Sequence, residues 1–481
     1  MRVTSFDPVR ILQTGLRASA VWKSSSINRK ITSSVLIIAA ATLFVRSLTA
    51  GREIVVAYHF GTSDAIDAFV IAFVVPSFVF SIVVGSIRSS LIPTFVRISD
   101  NDGELAASRM ASNVMAVIMA VSVALTAFIW LIGDMLIDFL GSNFSPEKKA
   151  LTVSLQACLL PLIPLHGLVT FWGAILAARE RFAATALTPV FIPAAVIILL
   201  IVSPSGGIYL LPAGMVIGYI LQALWLGILS GRQSDCLIVP RWSGYDQPTR
   251  TVFMQYLPLL MAVLMTSGMP IVDLSMAAML DAGSASSLNY GQKIVAVLMA
   301  FTAKPLGDAL LPFLSRQMAS GDLRKARHTM GSWIAICTLL SVPLTIVIFL
   351  FSETIVRVAF ERGAFTAEDT VLVTAVQSMY IFQIPFCLIG MIASRTLAAI
   401  RFNQALVLVG GISFVVNIVL NVVLMNLLGL PGIALATTGV YFCSSIVLMS
   451  LVLYRLRKEI REGGPKPEAN PTPPSDMTPI A

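Results

Sequence analysis

Long apolar runs separated by short polar breaks dominate this chain. Twelve of them, at about 32–57, 67–95, 108–133, 151–178, 183–203, 208–230, 251–280, 287–314, 328–352, 370–399, 404–428 and 432–456, are each long enough to cross a bilayer as a helix. Backbone groups in hydrocarbon must pair within their own segment, so these runs predict helices. The expected fold class is an all-α polytopic membrane protein. Composition points the same way: 57% of the 481 residues are hydrophobic and 12% charged, where a soluble chain carries about a quarter charged residues. That excludes a cytosolic enzyme, a secreted disulfide scaffold and a disordered binder. Four of the five cysteines (Cys158, Cys337, Cys387, Cys443) fall in apolar runs and Cys236 in a polar loop, without paired spacing. They read as reduced, buried small residues.

Loop charge sets an orientation. Lys and Arg collect in the first 31 residues, in alternate loops (Arg97, Arg109; Arg179, Arg181; Arg232, Arg241, Arg250; Arg316, Arg324, Lys325, Arg327; Arg395, Arg401) and in the stretch from Arg455 to Lys466. The intervening loops hold only Lys148, Lys149, Arg357 and Arg362. The excess of positive charge on one side predicts that both termini are cytoplasmic. The net charge of +8 is then topology and attraction to anionic lipid, with no nucleic-acid partner expected. The opening segment lacks the short apolar core of a cleavable signal. The Pro-rich end beyond about residue 463 cannot bury a core and is expected to be disordered.

Two halves of the chain match at an offset of roughly 220 positions. Leu91-Ile92-Pro93 with Arg97 answers Leu310-Leu311-Pro312 with Arg316; Leu176-Ala177-Ala178 with Phe182 answers Leu397-Ala398-Ala399 with Phe402; Gly207-Ile208 with Gly214 answers Gly432-Ile433 with Gly439. The order suggests a duplicated six-helix unit, both copies the same way up and related by an axis along the membrane normal, as in transporters. The expected organisation is a cytoplasmic polar arm (1–31), an N-terminal lobe (32–230), a cytoplasmic linker (231–250), a C-terminal lobe (251–457) and a disordered cytoplasmic tail (458–481).

Charges inside the runs carry the functional signal, because an ionised group at mid-membrane costs about 2.5 kcal/mol or more and needs a partner or a watery cavity. They are Arg46, Arg52, Glu53, Asp67, Arg88, Asp273, Lys293, Lys304 and Asp308. Arg46 and Arg52, six apart, are separated by about 120° and 9 Å on a helix, so both can line one broad wall at two depths. Cations in a cavity suit a concentrated anionic head, above all a phosphate or pyrophosphate, and the Arg fork matches phosphate oxygens. Arg46, Arg52 and Lys293 are the candidate pyrophosphate-binding residues. Arg88 and Lys304, near span ends, are equally readable as snorkelling side chains. Asp67, Arg88, Asp273 and Asp308 are candidate cavity or gating residues; for Asp67 a helix-start role, and for Asp273 and Asp308 pairing with Lys304 or a coupling cation, are the competing readings. Asn417 and Asn421, four apart, share a helix face and predict interhelical hydrogen bonding. Prolines within the runs (Pro76, Pro161, Pro164, Pro258, Pro270, Pro305, Pro385) permit kinks. His59 and His166 have no metal-spaced partners.

The stretch from Phe44 to Phe78, FVRSLTAGREIVVAYHFGTSDAIDAFVIAFVVPSF, resembles the start of the MurJ/MviN family of lipid II flippases, within the multidrug/oligosaccharidyl-lipid/polysaccharide exporter superfamily. LNYGQKIVAVL (Leu288 to Leu298), LLPFLSRQMASGD (Leu310 to Asp322) and VRVAFERGAFTAEDT (Val356 to Thr370) resemble it too. The resemblance implies a two-lobed helical transporter that moves an undecaprenyl-pyrophosphate-linked saccharide from the inner to the outer leaflet by alternating access. It carries the functional cations of the first span onto Arg46 and Arg52, the acid of the second onto Asp67 and the Arg of the eighth onto Lys293. Where the family has a basic pair after the second-span proline this chain has Phe80-Ser81, and twelve spans are expected against the usual fourteen. The implied substrate is lipid II or a surface or exopolysaccharide repeat unit. A small-molecule or drug exporter of the same superfamily is the alternative. No enzymatic activity and no cofactor are expected; the membrane potential, Na+ or H+ are the candidate driving forces. The expected partners are the lipid-linked saccharide, the bilayer and the machinery of polysaccharide or peptidoglycan synthesis.

Overall fold

The computed structural model describes residues 39–84, 87–231, 238–244, 246–319, 323–400, 402 and 404–461, and among these there is helix but no strand. The arm (1–31), Cys236 and the chain beyond Arg461 lie outside them. The first helix, α1, runs over 39–60. It is followed by α2 (Asp64–Val84), α3 (Ile87–Asp102), α4 (Glu104–Leu131), α5 (Gly133–Leu140), α6 (Pro146–Leu159), α7 (Leu162–Ala178), α8 (Phe182–Leu187), α9 (Phe191–Val202) and α10 (Leu210–Gly231). The second half holds α11 (Gln247–Ala277), α12 (Ser284–Ala319), α13 (Leu323–Leu350), α14 (Ser352–Phe360), α15 (Ala367–Ile381), α16 (Gln383–Ala399), α17 (Gln404–Leu428) and α18 (Leu430–Arg461).

Nine helical segments among the described residues are long and apolar enough to cross a membrane. The other three expected spans coincide with α1, α11 and α12, which are helical but more polar: α1 contains Arg46, Arg52 and Glu53, and α12 contains Lys293, Lys304 and Asp308. Large apolar side chains such as Phe128, Leu340 and Val415 are more than half exposed, the outward face expected of a chain that is solvated by lipid.

Several runs contain two helices rather than one. The run 151–178 divides at Pro161, which caps α7, and the run 370–399 divides ahead of Pro385, in the first turn of α16. Proline lacks the N–H that a helix interior needs but fits a first turn, so these prolines set boundaries where simple kinks were expected. The run 67–95 likewise holds α2 and the start of α3. At the far end, α18 continues to Arg461, so the disorder expected from residue 458 does not apply to its first four residues; Lys458, Glu459 and Arg461 are good helix formers.

The duplication reappears as element lengths. Helices α4, α5, α6 and α7 have 28, 8, 14 and 17 residues; α13, α14, α15 and α16 have 28, 9, 15 and 17. Each long span is followed by a short amphipathic turn of helix and then by a proline-broken pair.

The chain groups into two compact units. Unit 1 comprises residues up to Val56, Ile87–Ala127 and Pro161–Gln255. Within it α10 packs on α9 and α7. Gly214 and Gly218, one turn apart on α10, meet the α9 backbone at Val196 and Ile192 so closely that a Cβ would lie 2.8 and 2.5 Å from their Cα atoms. Linker residues 238–243 are strapped to this unit: Trp172 Nε1 donates to the Ile238 carbonyl (3.0 Å), and Ser243 donates through N and Oγ to Asn113 Oδ1 (2.8 Å each). Unit 2 comprises Ala57–Ser86, Phe128–Leu160 and the chain from Tyr256 onward. Its frame is α12 against α15 and α16, α18 against α16 and α17, and α2 against α6.

Candidate functional site

Unit 2 contains two concentrations of buried polar groups. At one end, four chain segments far apart in sequence converge: 57–67, 143–148, 279–290 and 356–373. Asp67, in the first turn of α2 and 1% exposed, accepts from the backbone N–H groups of Gly283 (2.7 Å) and Ser286 (2.8 Å) and from Lys148 Nζ (3.0 Å). Its carboxylate therefore caps α12 as well as opening its own helix. Lys148 Nζ also reaches Asp64 (2.5 Å) and lies 4.2 Å from the centre of the Phe144 ring. Asn143 Nδ2 donates to the Met279 carbonyl (2.5 Å), and Ala364 N to the Tyr58 carbonyl (2.8 Å). Thr62 Oγ1 donates to Asp369, whose other oxygen closes a capping box with Thr366 at the start of α15.

Two glycines show how tight this clasp is. Gly283 (φ +85°) and Gly363 (φ +64°) adopt a left-handed conformation that other residues pay for, and added Cβ atoms would strike the Thr62 carbonyl oxygen at 2.7 Å and Tyr58. Inward of them, Ala57, Tyr290, Val356, Phe360, Phe365 and Val373 form a dry cluster, each 4% exposed or less. Lys293 stands one turn further along α12, its Nζ 5.2 Å from the Tyr290 ring centre.

The second concentration lies around Asp273 of α11, which is 5% exposed. It accepts from Asn417 Nδ2 (2.9 Å), Asn421 Nδ2 (2.6 Å) and Thr437 Oγ1 (3.1 Å). The interhelical bonding expected of the two asparagines is thus present, from α17 to α11. The amide oxygens of both asparagines are buried without a hydrogen-bond partner. A cavity of about 290 Å³ opens beside Asp273, lined by Thr266, Pro270, Gln292, Ser413, Asn417 and Tyr441 among others. The Asp273 carboxylate, the Asn417 amide and the Thr437 hydroxyl in this lining are hard oxygen groups, the type that can hold a monovalent or oxygen-seeking cation.

The other predicted residues are more dispersed. Arg46 is exposed on α1. Arg52, 23% exposed at its side chain, donates through Nε to the neighbouring Glu53 (3.1 Å). Arg88 lies on α3, and Lys304 and Asp308 on α12, but their side chains are not among those described. His166 Nδ1 is 3.0 Å from the Tyr219 hydroxyl, and no cluster of metal-binding His, Cys, Asp or Glu occurs among the described residues. Cys158, expected to be buried, is exposed on α6 among the described residues; an apolar run marks a segment and not which of its faces packs inward. Sequence reading missed Lys148 altogether, filing it as an outer-loop charge. The signal was local: Ser145-Pro146-Glu147 marks a helix start whose first turn carries the lysine inward.

A sequence profile described as lipid II flippase MurJ matches residues 56–465. The chain belongs to the MurJ family. Probable lipid II flippases of Rhizobium meliloti (26% identity over 438 residues) and Rhizobium tropici (24% over 433) each align with 87% of this chain and 80% of their own length. A lipid II flippase MurJ solved in an inward closed conformation superposes with a TM-score of 0.75 over 88% of this chain and 90% of that one, at 23% identity. An inward-facing multidrug resistance transporter of the MOP superfamily gives 0.71 over 88% and 98%, at 14% identity, which is a likeness of fold. The family-like segments named above supply the clasp: the Phe44 stretch brings Thr62, Asp64 and Asp67, LNYGQ brings Tyr290, and VRVAFERGAFTAEDT brings Phe360, Gly363, Phe365 and Asp369.

Proposed function

We propose that this protein is a flippase that carries an undecaprenyl-pyrophosphate-linked saccharide from the inner to the outer leaflet of the bacterial inner membrane, with both termini in the cytoplasm. Membership of the MurJ family, combined with two arginines in helix α1, carries the reading. Arg46, Arg52 and Lys293 neutralise the diphosphate, Arg through its forked donors and Lys as a mobile charge. The polyprenyl tail stays in lipid, where each buried methylene is favourable. Two six-helix lobes, 32–230 and 251–457, exchange access, and the clasp around Asp67 is the outer gate, closed while substrate loads from the cytoplasm. Its place in the sequence supports this, since its segments are the loops with few Lys and Arg.

Asp273 serves coupling. Its carboxylate receives three neutral donors and lies beside two orphaned amide oxygens, so Na+ or H+ arriving down its gradient would satisfy the group and favour one state of the cycle. The substrate is delivered to the machinery that polymerises peptidoglycan or a surface polysaccharide. Phe80-Ser81, in place of a basic pair, favours a head less anionic than that of lipid II. Reconstituted vesicles test the reading: wild-type protein delivers labelled lipid-linked sugar to the far leaflet, and Arg46→Ala and Arg52→Ala insert normally but deliver none. Full delivery by both variants overturns it.

A further inference from the structure

A second cavity, also of about 290 Å³, lies between α2 and α11 and shares Thr266 and Pro270 with the cavity beside Asp273. Its polar lining consists of hydroxyls: Ser77 and Ser81 on α2, Thr266 and Ser267 on α11. Ser77 and Ser81 are four apart and share a face. Ser77 Oγ donates to the Val74 carbonyl (2.7 Å), Ser81 Oγ to the Ser77 carbonyl (3.2 Å) and Thr266 Oγ1 to the Val263 carbonyl (3.3 Å). At Ser77 and Ser81 a hydroxyl whose proton is committed to its own helix keeps its lone pairs as acceptors. Across Thr266 the lining continues with Gln292 and Ser413, and among the described residues no Lys or Arg lines either cavity. Asp273 is the one charged group among the described lining residues.

These walls repel a diphosphate and suit a neutral molecule rich in hydroxyl donors. Phe78 and Pro270 add apolar surface of the type that the C–H face of a sugar ring covers. Taken together the cavities fall within the roughly 300–1,000 Å³ of small-molecule sites. Position agrees as well, for Gln292 in the lining is the chain neighbour of Lys293, the candidate diphosphate ligand on α12.

We propose that the hydroxyl-lined chamber between α2 and α11 is a saccharide subsite, which receives the phosphate-linked sugar of the transported lipid and is distinct from the cations that hold its diphosphate. The proposal rests on the flippase reading. It makes Ser81 a specificity-determining residue, selecting for a carbohydrate head over a bare carrier.

The test uses full-length protein in vesicles and two probes, undecaprenyl pyrophosphate with and without a linked sugar. Ser81→Leu fills the chamber, and delivery of the sugar-bearing lipid should fall by about tenfold or more, the scale at which a small steric change in a pocket discriminates. Ser81→Thr, which keeps the hydroxyl, should restore most of it. A binding readout accompanies transport: in Ser81→Cys, saturating sugar-bearing lipid should slow thiol labelling at residue 81 several-fold, and the sugarless carrier should not. Equal protection by both lipids, or protection by neither, overturns the subsite, as does unaltered delivery by Ser81→Leu. Failure of wild-type protein to move any polyprenyl-linked lipid overturns the flippase reading itself, and is told apart by being independent of residue 81.

Discussion

Asp67 and Asp273 are two almost completely buried carboxylates in the same compact unit, each receiving three hydrogen bonds, and their charges are met in opposite ways. The donors to Asp67 are an ammonium and two N–H groups at a helix start, so its charge is answered. Those to Asp273 are two amides and a hydroxyl, so its charge is solvated but not answered by any described side chain. In a low dielectric that distinction matters more than the number of bonds: a charge matched by a cation is a fastener, and one matched by neutral dipoles retains an appetite for a mobile cation.

The largest effect should come from unfastening the first. Asp67→Ala leaves Lys148 buried beside only the exposed Asp64 and removes the partner of two backbone N–H groups. Breaking a buried pair in this way costs roughly 3–5 kcal/mol. Thermal unfolding in detergent should show a clear drop, and thiol probes placed at the clasp should label faster. Substitution of Lys148 by Met, paired with Asp67→Asn in a double-mutant cycle, should recover part of the loss, because the two defects share one interaction. A wild-type melting profile for Asp67→Ala would mean that the clasp does not depend on this charge.

Next in size is Gly283→Ala. The backbone at φ +85° and the Thr62 carbonyl both oppose a side chain, and a left-handed non-glycine residue costs about 1–3 kcal/mol. The same melting assay should place it below wild type and above Asp67→Ala. If the gate must also open, this variant should shift thiol labelling at the clasp toward the open pattern at a milder loss of stability, separating gating from folding.

Much of this was legible in the chain before any coordinates. Apolar run length fixed the helical class, and the repeat offset near 220 reappears as matched helix lengths in α4–α7 and α13–α16. Asn417 and Asn421 announced an interhelical bond by spacing. What could not be read was long-range pairing: nothing local to Asp67 says that its partners are Gly283, Ser286 and Lys148, because those contacts are set by how loops close over 80 to 220 residues of intervening chain. At Pro161 and Pro385 the expected bends are junctions between two helices of one span, a detail that hydropathy, continuous across them, does not reveal. Arg46 and Arg52 were found for the opposite reason, that cost in a membrane is a local property of a residue in an apolar run.

Asp273→Asn sharpens the contrast from the other side. The amide keeps the oxygen that Asn417 and Asn421 share and removes a charge that no described cation answers, so stability should change by no more than about 1 kcal/mol. Transport should nevertheless lose its dependence on the coupling ion, measured as delivery with and without a Na+ or proton gradient. A variant that melts far below wild type would make Asp273 a fastener like Asp67, and one that keeps full ion dependence would remove it from coupling.

The smallest effect is expected one residue from one of the largest. Lys149 pairs with Asp138 at 2.9 Å, a distance like that between Lys148 and Asp67, yet the Lys149 and Asp138 side chains are 28% and 65% exposed, against 9% and 2% for the buried pair. Water already solvates both partners of the outer pair, and holding two long side chains in one geometry costs entropy, so such a bridge contributes about 0–1 kcal/mol. Lys149→Ala should therefore melt within a degree or so of wild type for a chain of this size, where 1 kcal/mol moves the midpoint by about 2–4 °C or less. Raising the salt concentration should weaken the Lys149 pair and leave the Lys148 pair nearly untouched, because counterions reach only the first. Equal losses from Lys148→Ala and Lys149→Ala would show that the clasp is held by the total charge of its loop; a large loss from Lys148→Ala alone would show that burial selects which cation fastens the outer end.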